Sequence, residues 1–224
     1  MRKAKTKQTE VEGTESVRWK DLLGFEKDQA LLYKLVHEEL LPTVLLFEGR
    51  AGIGKRSLLF FLAALHFCES SDACGNCASC QMIAANTHPD LLIIKGEGEA
   101  LKASSVSDLS EFLNFSTQAN GPFVRRLILL IDAEDLTISA VNKLLKTLEE
   151  PSPSARIFIS SSRKKHLLPT LLSRCVQWHL KPPSVEDVGK ILLKQCPNIE
   201  DLASREELDE WIFRFGNSPG TPSF

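Results

Sequence analysis

A glycine-rich segment limits what this chain can fold into more strongly than any other part of the sequence. Residues 49–55 read GRAGIGK and match the phosphate-binding pattern G-x-x-x-x-G-K. The segment follows a short apolar run, typical of a buried parallel strand, and leads into a helical pattern. The glycines Gly49, Gly52 and Gly54 allow backbone N–H groups to turn towards a phosphate, and Lys55 supplies a cation. The pattern therefore predicts a phosphate-binding loop, with a ligand-free glycine-rich turn as the alternative.

Short apolar runs alternate with helical patterns along the rest of the chain. Five runs have the length and composition of buried strands, namely 43–48, 91–94, 127–132, 156–160 and 176–180. Apolar residues at helical spacing occur at 29–36, 58–67 and 138–149. Strands that alternate with helices predict an α/β fold, with an open parallel sheet flanked by helices.

Charge and hydropathy exclude two classes of function. The formal net charge of −2 excludes binding to nucleic acid through overall basicity, so any DNA contact must come from partners or from local groups such as 125–126 and 163–166. The longest apolar run, 127–131, is too short to span a membrane. No apolar segment follows the basic residues 1–7, which excludes a secretory signal. We expect a cytoplasmic protein with no membrane partner.

The sequence divides into three parts. Residues 1–16 are polar without periodicity and predict a disordered tail. Residues 17–181 contain all the strand patterns and form the phosphate-loop domain. Residues 182–224 predict a small helical domain, in which Ser184 caps one helix and Ser204 begins a capping box for another.

Two positions around the phosphate loop differ from those of a working ATPase. Arg56 stands where a Ser or Thr hydroxyl would hold Mg²⁺. Asp132 ends the third strand and could ligate a metal, but Ala133 follows where a water-activating glutamate is needed. Glu134 comes one residue later, and strand alternation would turn it away from the site. We expect little or no ATP hydrolysis and no secure Mg²⁺ site, and leave residual ATP binding open.

Four of the six cysteines lie within thirteen residues. Cys68, Cys74, Cys77 and Cys80 have the spacing C-x5-C-x2-C-x2-C, which allows four thiolates to converge on one ion. Clustered cysteines in a reducing compartment are typical of metal ligands rather than disulfides. Four sulfurs leave no position for water, so the spacing predicts a structural zinc site. An iron–sulfur cluster is the alternative, although the fourth cysteine is not where the ferredoxin pattern puts it.

Three segments resemble one family, the AAA+ subunits of bacterial clamp loaders. Residues 140–151 read AVNKLLKTLEEP, residues 87–91 read THPDL, and residues 168–175 contain the Ser-Arg-Cys motif. The resemblance runs from about residue 19 to residue 220. It implies an AAA+ phosphate-loop sheet with a zinc knuckle inserted at about 67–82, followed by a helical lid domain.

The departures at Arg56 and Ala133 resemble the delta-prime type of subunit rather than the ATP-hydrolysing gamma/tau type. Thr221 is a third departure, because the resemblance implies that active relatives carry a nucleotide-contacting arginine at this position. Ser161 or Ser162 occupies the region of another nucleotide-sensing residue, and we interpret either as structural.

The resemblance implies that the arginine of the Ser-Arg-Cys motif, Arg174, reaches the ATP of a neighbouring subunit as an arginine finger. It also implies a complex with gamma/tau and delta subunits, which loads the sliding clamp onto primer-template DNA. We interpret the adjacent Cys175 as a packed residue rather than a reactive thiol. The family has a C-terminal helical collar domain, and we expect none within this sequence, which ends at Phe224.

Two other functions are compatible with parts of the sequence. An active gamma/tau-like ATPase would have to tolerate Arg56. A zinc-dependent DNA-binding module outside replication would leave the phosphate loop and Arg174 without a use, and the cysteine segment carries no obvious basic helix. We therefore favour a non-catalytic clamp-loader subunit.

Overall fold

Among the described residues, five parallel strands form the central sheet, in the order β2-β3-β4-β1-β5. The computed structural model describes residues 19, 22–95, 109, 112–113, 126–149 and 155–195. The strands are β1 (Val44–Glu48), β2 (Leu91–Lys95), β3 (Arg126–Ile131), β4 (Ala155–Ser161) and β5 (Val176–His179). Every strand pair is parallel, which confirms the predicted sheet.

Helices connect the strands and cover the sheet. They are α1 (Glu26–His37), α2 (Lys55–Phe67), α3 (Ala78–Ala84), α4 (Ile138–Glu149), α5 (Pro169–Leu172) and α6 (Val185–Gln195). Short 3₁₀ turns at Ala133–Asp135 and Lys164–His166 follow β3 and β4. No helix among the described residues is long and apolar enough to cross a membrane.

Strand alternation divides the core into two layers. Leu127 and Leu129 of β3 join the cluster that contains most of α2, whereas Ile128 and Leu130 join the cluster under α4 and α5. Both layers are closed to water, because all six residues of β3 are buried. The continuous apolar run that predicted this strand therefore reflects burial on both faces.

The parallel sheet brings the carboxyl ends of β1, β3 and β4 to one edge. The phosphate loop follows β1, which lies between β4 and β5. The cysteine segment lies between α2 and β2, and α3 carries Cys80. The Trp178 indole N–H donates a hydrogen bond of 2.7 Å to Asp28 Oδ1 and ties β5 to α1.

The predicted cap at Ser184 is confirmed. Its Oγ accepts a hydrogen bond of 3.1 Å from the backbone N–H of Asp187 and begins α6. The tail 1–16, the capping box at Ser204 and the position of Thr221 lie outside the described residues.

Phe158 of β4 belongs to the buried apolar cluster that contains most of α2, and its truncation tests the stability of this core. Its side chain is fully buried, and Phe158→Ala is expected to lower the free energy of unfolding by about 3–5 kcal/mol through cavity formation. Urea denaturation measures the loss. Leu40→Ala is the control, because Leu40 is 63% exposed and its truncation should cost less than about 0.5 kcal/mol. Equal losses in the two variants would contradict the described core.

Candidate functional site

The phosphate loop depends on glycines with left-handed backbone angles. Gly52 has φ +77° and Gly54 has φ +100°, a region that L side chains rarely adopt. A Cβ atom at Gly54 would also lie 3.0 Å from Cε2 of Phe25. Gly54 is the N-cap of α2, so this backbone turns the chain from the loop into the helix. The N–H groups of the first helical turn then have no intrahelical partners and can receive an anion.

Lys55 is held inside the loop by three hydrogen bonds. Its Nζ donates to the carbonyl oxygens of Gly49 at 3.0 Å and Arg50 at 2.8 Å, and to Oγ of Ser162 at 2.7 Å. These contacts use all three N–H groups of the ammonium. Burial lowers the pKa of Lys55, and the charges of Asp132 and Glu134 partly oppose the shift. A phosphate would have to replace one of the existing acceptors.

The two serines after β4 have different partners. Ser162 contacts Lys55 at the loop, whereas Ser161 is fully buried and its Oγ accepts a hydrogen bond from the N–H of Arg163. Ser161 is therefore structural, as interpreted from the sequence. Only Ser162 lies where it could sense a nucleotide.

The expectation that Glu134 turns away from the site was wrong. Asp132 adopts a left-handed conformation with φ +56°, and the 3₁₀ turn Ala133–Asp135 follows it. Alternation therefore ends at Ile131, one residue earlier than predicted. The Glu134 side chain is only 4% exposed, and its Oε1 accepts a hydrogen bond of 2.9 Å from the N–H of Ser162.

Glu134 and Asp132 place two carboxylates near Lys55. Burial, together with the negative charge of Glu134, raises the pKa of the Asp132 carboxyl, while Lys55 opposes the shift. Oε2 of Glu134 is buried and has no hydrogen-bond partner within the part of the chain that the structure describes. One oxygen of Glu134 thus accepts a hydrogen bond from the residue that follows β4, and the other oxygen is buried away from water.

The side chain of Arg56 extends along α2, although the residue stands where a Ser or Thr would hold Mg²⁺. Its guanidinium stacks on the ring of Phe60, with Cζ 5.4 Å from the ring centroid, and therefore lies along α2. The two residues are one helical turn apart, which brings their side chains together. The missing hydroxyl still removes a metal ligand, but the arginine charge is directed away along the helix.

Arg174 lies at the opposite edge of the sheet from the phosphate loop. It precedes the first residue of β5, which pairs with the beginning of β1, whereas the loop follows the end of β1. Four residues of strand separate these edges, or about 13 Å at ~3.3 Å per residue. The Arg174 side chain is 33% exposed. Its predicted position at the rim of the sheet is confirmed, and this position is remote from the chain's own loop.

Two neighbours hold the Arg174 guanidinium. Nη1 donates to the carbonyl oxygen of Thr170 at 2.9 Å, and Nη2 forms an ion pair of 2.8 Å with Oε1 of Glu149. Glu149 is the last residue of α4 and was missed by the sequence reasoning. Cys175 donates its S–H to Leu171, and burial raises the pKa of this thiol to about 11, so it is a packed residue as predicted.

The four predicted cysteine ligands lie together. All four sulfur atoms lie within 4.8 Å of one another, and those of Cys68 and Cys77 are 3.9 Å apart. A tetrahedral ion with metal–sulfur bonds of about 2.3 Å separates its sulfurs by about 3.8 Å. The geometry therefore fits a metal ion held by four thiolates.

Backbone N–H groups support the sulfurs of this cluster. The N–H of Cys74 points to Sγ of Cys68, and the N–H of Cys77 points to Sγ of Cys74. Burial raises the pKa of Cys68, but hydrogen bonds from Ser70 and nearby backbone groups outweigh it and bring the pKa to about 6. Burial raises the pKa of Cys80. A bound cation would supply the charge that keeps Cys80 a thiolate.

Three members of the two basic groups already have partners, whereas Arg125 lies outside the described residues and Lys165 and His166 are exposed. Arg126 is 6% exposed, and its guanidinium stacks on Phe112 at 4.9 Å, so it belongs to the core rather than to a DNA-facing or solvated surface. Arg163 pairs with Asp135 at 3.2 Å, and Lys164 pairs with Glu48 at 3.0 Å.

A family model described as DNA polymerase III, delta subunit, matches residues 26–184. The chain belongs to this family of DNA polymerase III subunits. A DNA polymerase III subunit delta' from Pseudomonas aeruginosa is 37% identical over 79% of this chain, and one from Bacillus subtilis is 30% identical over 88%. The tau subunit from Escherichia coli is 33% identical over 70% of the chain. The family predicted from the Ser-Arg-Cys and LLKTLEEP segments is confirmed.

This family member spans only part of its relatives. The match covers 53% of the Pseudomonas protein and 64% of the Bacillus protein. Among solved structures, a gamma-subunit-related protein from Thermotoga maritima has a TM-score of 0.50 at 21% identity, over 77% of this chain and 53% of its own. A RuvB variant from the same organism has a TM-score of 0.54 at 14% identity, over 93% and 58%. These likenesses confirm the AAA+ fold.

The cysteine cluster generates a prediction about metal binding. Cys77→Ser replaces a thiolate by a hydroxyl and is expected to weaken metal binding at least about 100-fold. Metal content of the purified protein, measured by mass spectrometry, checks the loss. Cys175→Ser is the matched control and should keep the wild-type metal content. Full metal content in Cys77→Ser would contradict the four-sulfur site.

Proposed function

We propose that this chain is a non-catalytic subunit of the DNA polymerase III clamp loader. It helps to load the sliding clamp onto primed DNA and donates Arg174 as an arginine finger to the ATP site of a neighbouring subunit. The observation that carries the proposal is the position of Arg174, which is partly exposed at the edge of the sheet opposite the chain's own phosphate loop. A guanidinium there can serve only a nucleotide that another molecule brings to it.

The chain's own loop supports the absence of hydrolysis. Lys55 already uses its three donors on Gly49, Arg50 and Ser162. Glu134 reaches the region, but its Oε1 accepts a hydrogen bond from the Ser162 N–H instead of facing an attacking water. No hydroxyl at position 56 can hold Mg²⁺. The loop therefore acts as a structural turn that retains the shape of a nucleotide site.

Family membership supports the proposed partners. Relatives are delta-prime and tau subunits of DNA polymerase III, so the partners we propose are gamma/tau and delta subunits, with the sliding clamp and primer-template DNA in the assembled complex. A replication protein of this kind acts in the cytoplasm. Within the complex, this chain would be a rigid element that holds one face of a partner's ATP site.

Zinc is the metal we propose for the cysteine cluster. The observation in its favour is a set of four sulfurs that all lie within 4.8 Å of one another, since four sulfur ligands leave no place for a water ligand. A zinc ion there would be structural and would join the end of α2 to α3. Metal analysis distinguishes it from an iron–sulfur cluster: one equivalent of zinc in a colourless protein supports the proposal, whereas iron in a brown protein contradicts it.

A gamma/tau-like ATPase is the second candidate function. The observation that favours it is Glu134, which lies with Asp132 near Lys55 and has one oxygen without a partner among the described residues. Mg²⁺-dependent ATP hydrolysis by the isolated chain, abolished by Lys55→Ala, would establish it. We expect no such activity.

Reconstitution with gamma/tau and delta partners tests the proposed function. Arg174→Ala is expected to lower the DNA-stimulated ATPase of the complex by about 10³–10⁵ at the affected site, because a finger in trans stabilises transition-state charge to this extent. Arg174→Lys should recover little of the rate, since lysine lacks the planar fork. Lys27→Ala removes an exposed charge on α1 and serves as the control.

Two outcomes would overturn the proposal. The first is an unchanged ATPase rate in the Arg174→Ala complex. The second is failure of the wild-type chain to join the complex, measured by size-exclusion chromatography with light scattering.

A further inference from the structure

We propose that Glu149 is a positioning residue for Arg174. The inference rests on the proposed function and adds a residue to it: the carboxylate at the end of α4 sets the direction of the guanidinium before a neighbouring subunit presents its nucleotide. The ion pair between Arg174 Nη2 and Glu149 Oε1 at 2.8 Å is the observation that points to this role.

The guanidinium is fixed by contacts on two sides. Nη2 meets Glu149, while Nη1 donates to the carbonyl oxygen of Thr170 at 2.9 Å and lies 3.5 Å from Oγ of Ser173. These contacts occupy at most three of the five N–H donors of an arginine. At least two donors are left for phosphate oxygens, and the side chain is 33% exposed. The guanidinium is therefore held in one orientation and still has N–H donors for a ligand.

The helices that end at or just before the two residues of the ion pair pack against the same apolar cluster. Leu148, next to Glu149, is 5% exposed, and Leu171 of α5 is fully buried in the same apolar cluster. Leu145 and Leu172 pack against this cluster. Since α4 and α5 are fastened together in this way, the carboxylate and the guanidinium meet without reordering the backbone.

The pair has little value for stability, which separates positioning from a structural role. Glu149 is 53% exposed, and ion pairs at that exposure contribute little because water and salt screen them. An arginine side chain, however, loses much rotamer freedom when a ligand orders it. If Glu149 already orders the Arg174 side chain, this entropy loss does not accompany the step in which Arg174 contacts the nucleotide.

Kinetics of the assembled loader test the inference. Glu149→Ala is expected to lower kcat of the DNA-stimulated ATPase by about tenfold, the effect of leaving one long side chain unordered, with the KM for ATP unchanged. Glu149→Gln keeps an acceptor oxygen and should lose less. Glu38→Ala is the matched control, because Glu38 is 47% exposed and also pairs with a cation, Lys34. Thermal unfolding of Glu149→Ala should stay within about 2 °C of wild type.

A double variant identifies the route of the effect. If Glu149 acts through Arg174, then Glu149→Ala has no further effect on the rate once Arg174→Ala is present. An equal loss in both backgrounds overturns the inference. An unchanged or faster rate in Glu149→Ala also overturns the inference, provided that Arg174→Ala lowers the rate. In that case the proposed role of Arg174 as an arginine finger still stands. If Arg174→Ala itself has no effect on the rate, the proposed function is overturned, and the inference about Glu149 is overturned with it.

Discussion

The parallel pairing of β1 with β4 on one side and β5 on the other decides where the phosphate loop and Arg174 lie. Because all strands run in one direction, the phosphate loop, Asp132 and Ser162 gather at the carboxyl edge. Arg174 precedes β5 and is forced to the other edge. One chain thus has a phosphate loop at one edge of the sheet and the Arg174 cation at the opposite edge.

Hydrogen bonds explain how the phosphate loop holds two buried charged groups. Lys55 and Glu134 are both largely buried, which is costly for charged groups unless each is well bonded. Lys55 finds three oxygen acceptors, and Glu134 accepts the N–H of Ser162. Ser162 joins the two, since its Oγ binds Lys55 and its N–H binds Glu134. The ends of β1, β3 and β4 are therefore connected by protein atoms.

A shared ion would order the cysteine segment, which lies outside the sheet. The chain between α2 and α3 is short and contains the left-handed residues Ser71, Ala73 and Gly75, which hydrophobic burial alone would hold poorly. Four sulfurs that converge from this segment give it a single conformation when they share an ion. Cys68 and Cys80 are buried against the core cluster of α2, so the segment is attached to the rest of the domain.

The sequence by itself determined the five strands and the longer helices, the clustering of the four cysteines and the place of Arg174 at the rim. These follow from periodicity and spacing, which act over a few residues. The tertiary structure alone decided the direction of Glu134, the burial of Arg126 and the pairing of Arg174 with Glu149. One left-handed residue, Asp132, reverses an alternation argument, and residues 25 positions apart meet only because α4 and α5 share a core. Such contacts depend on packing between distant segments, which no local pattern encodes.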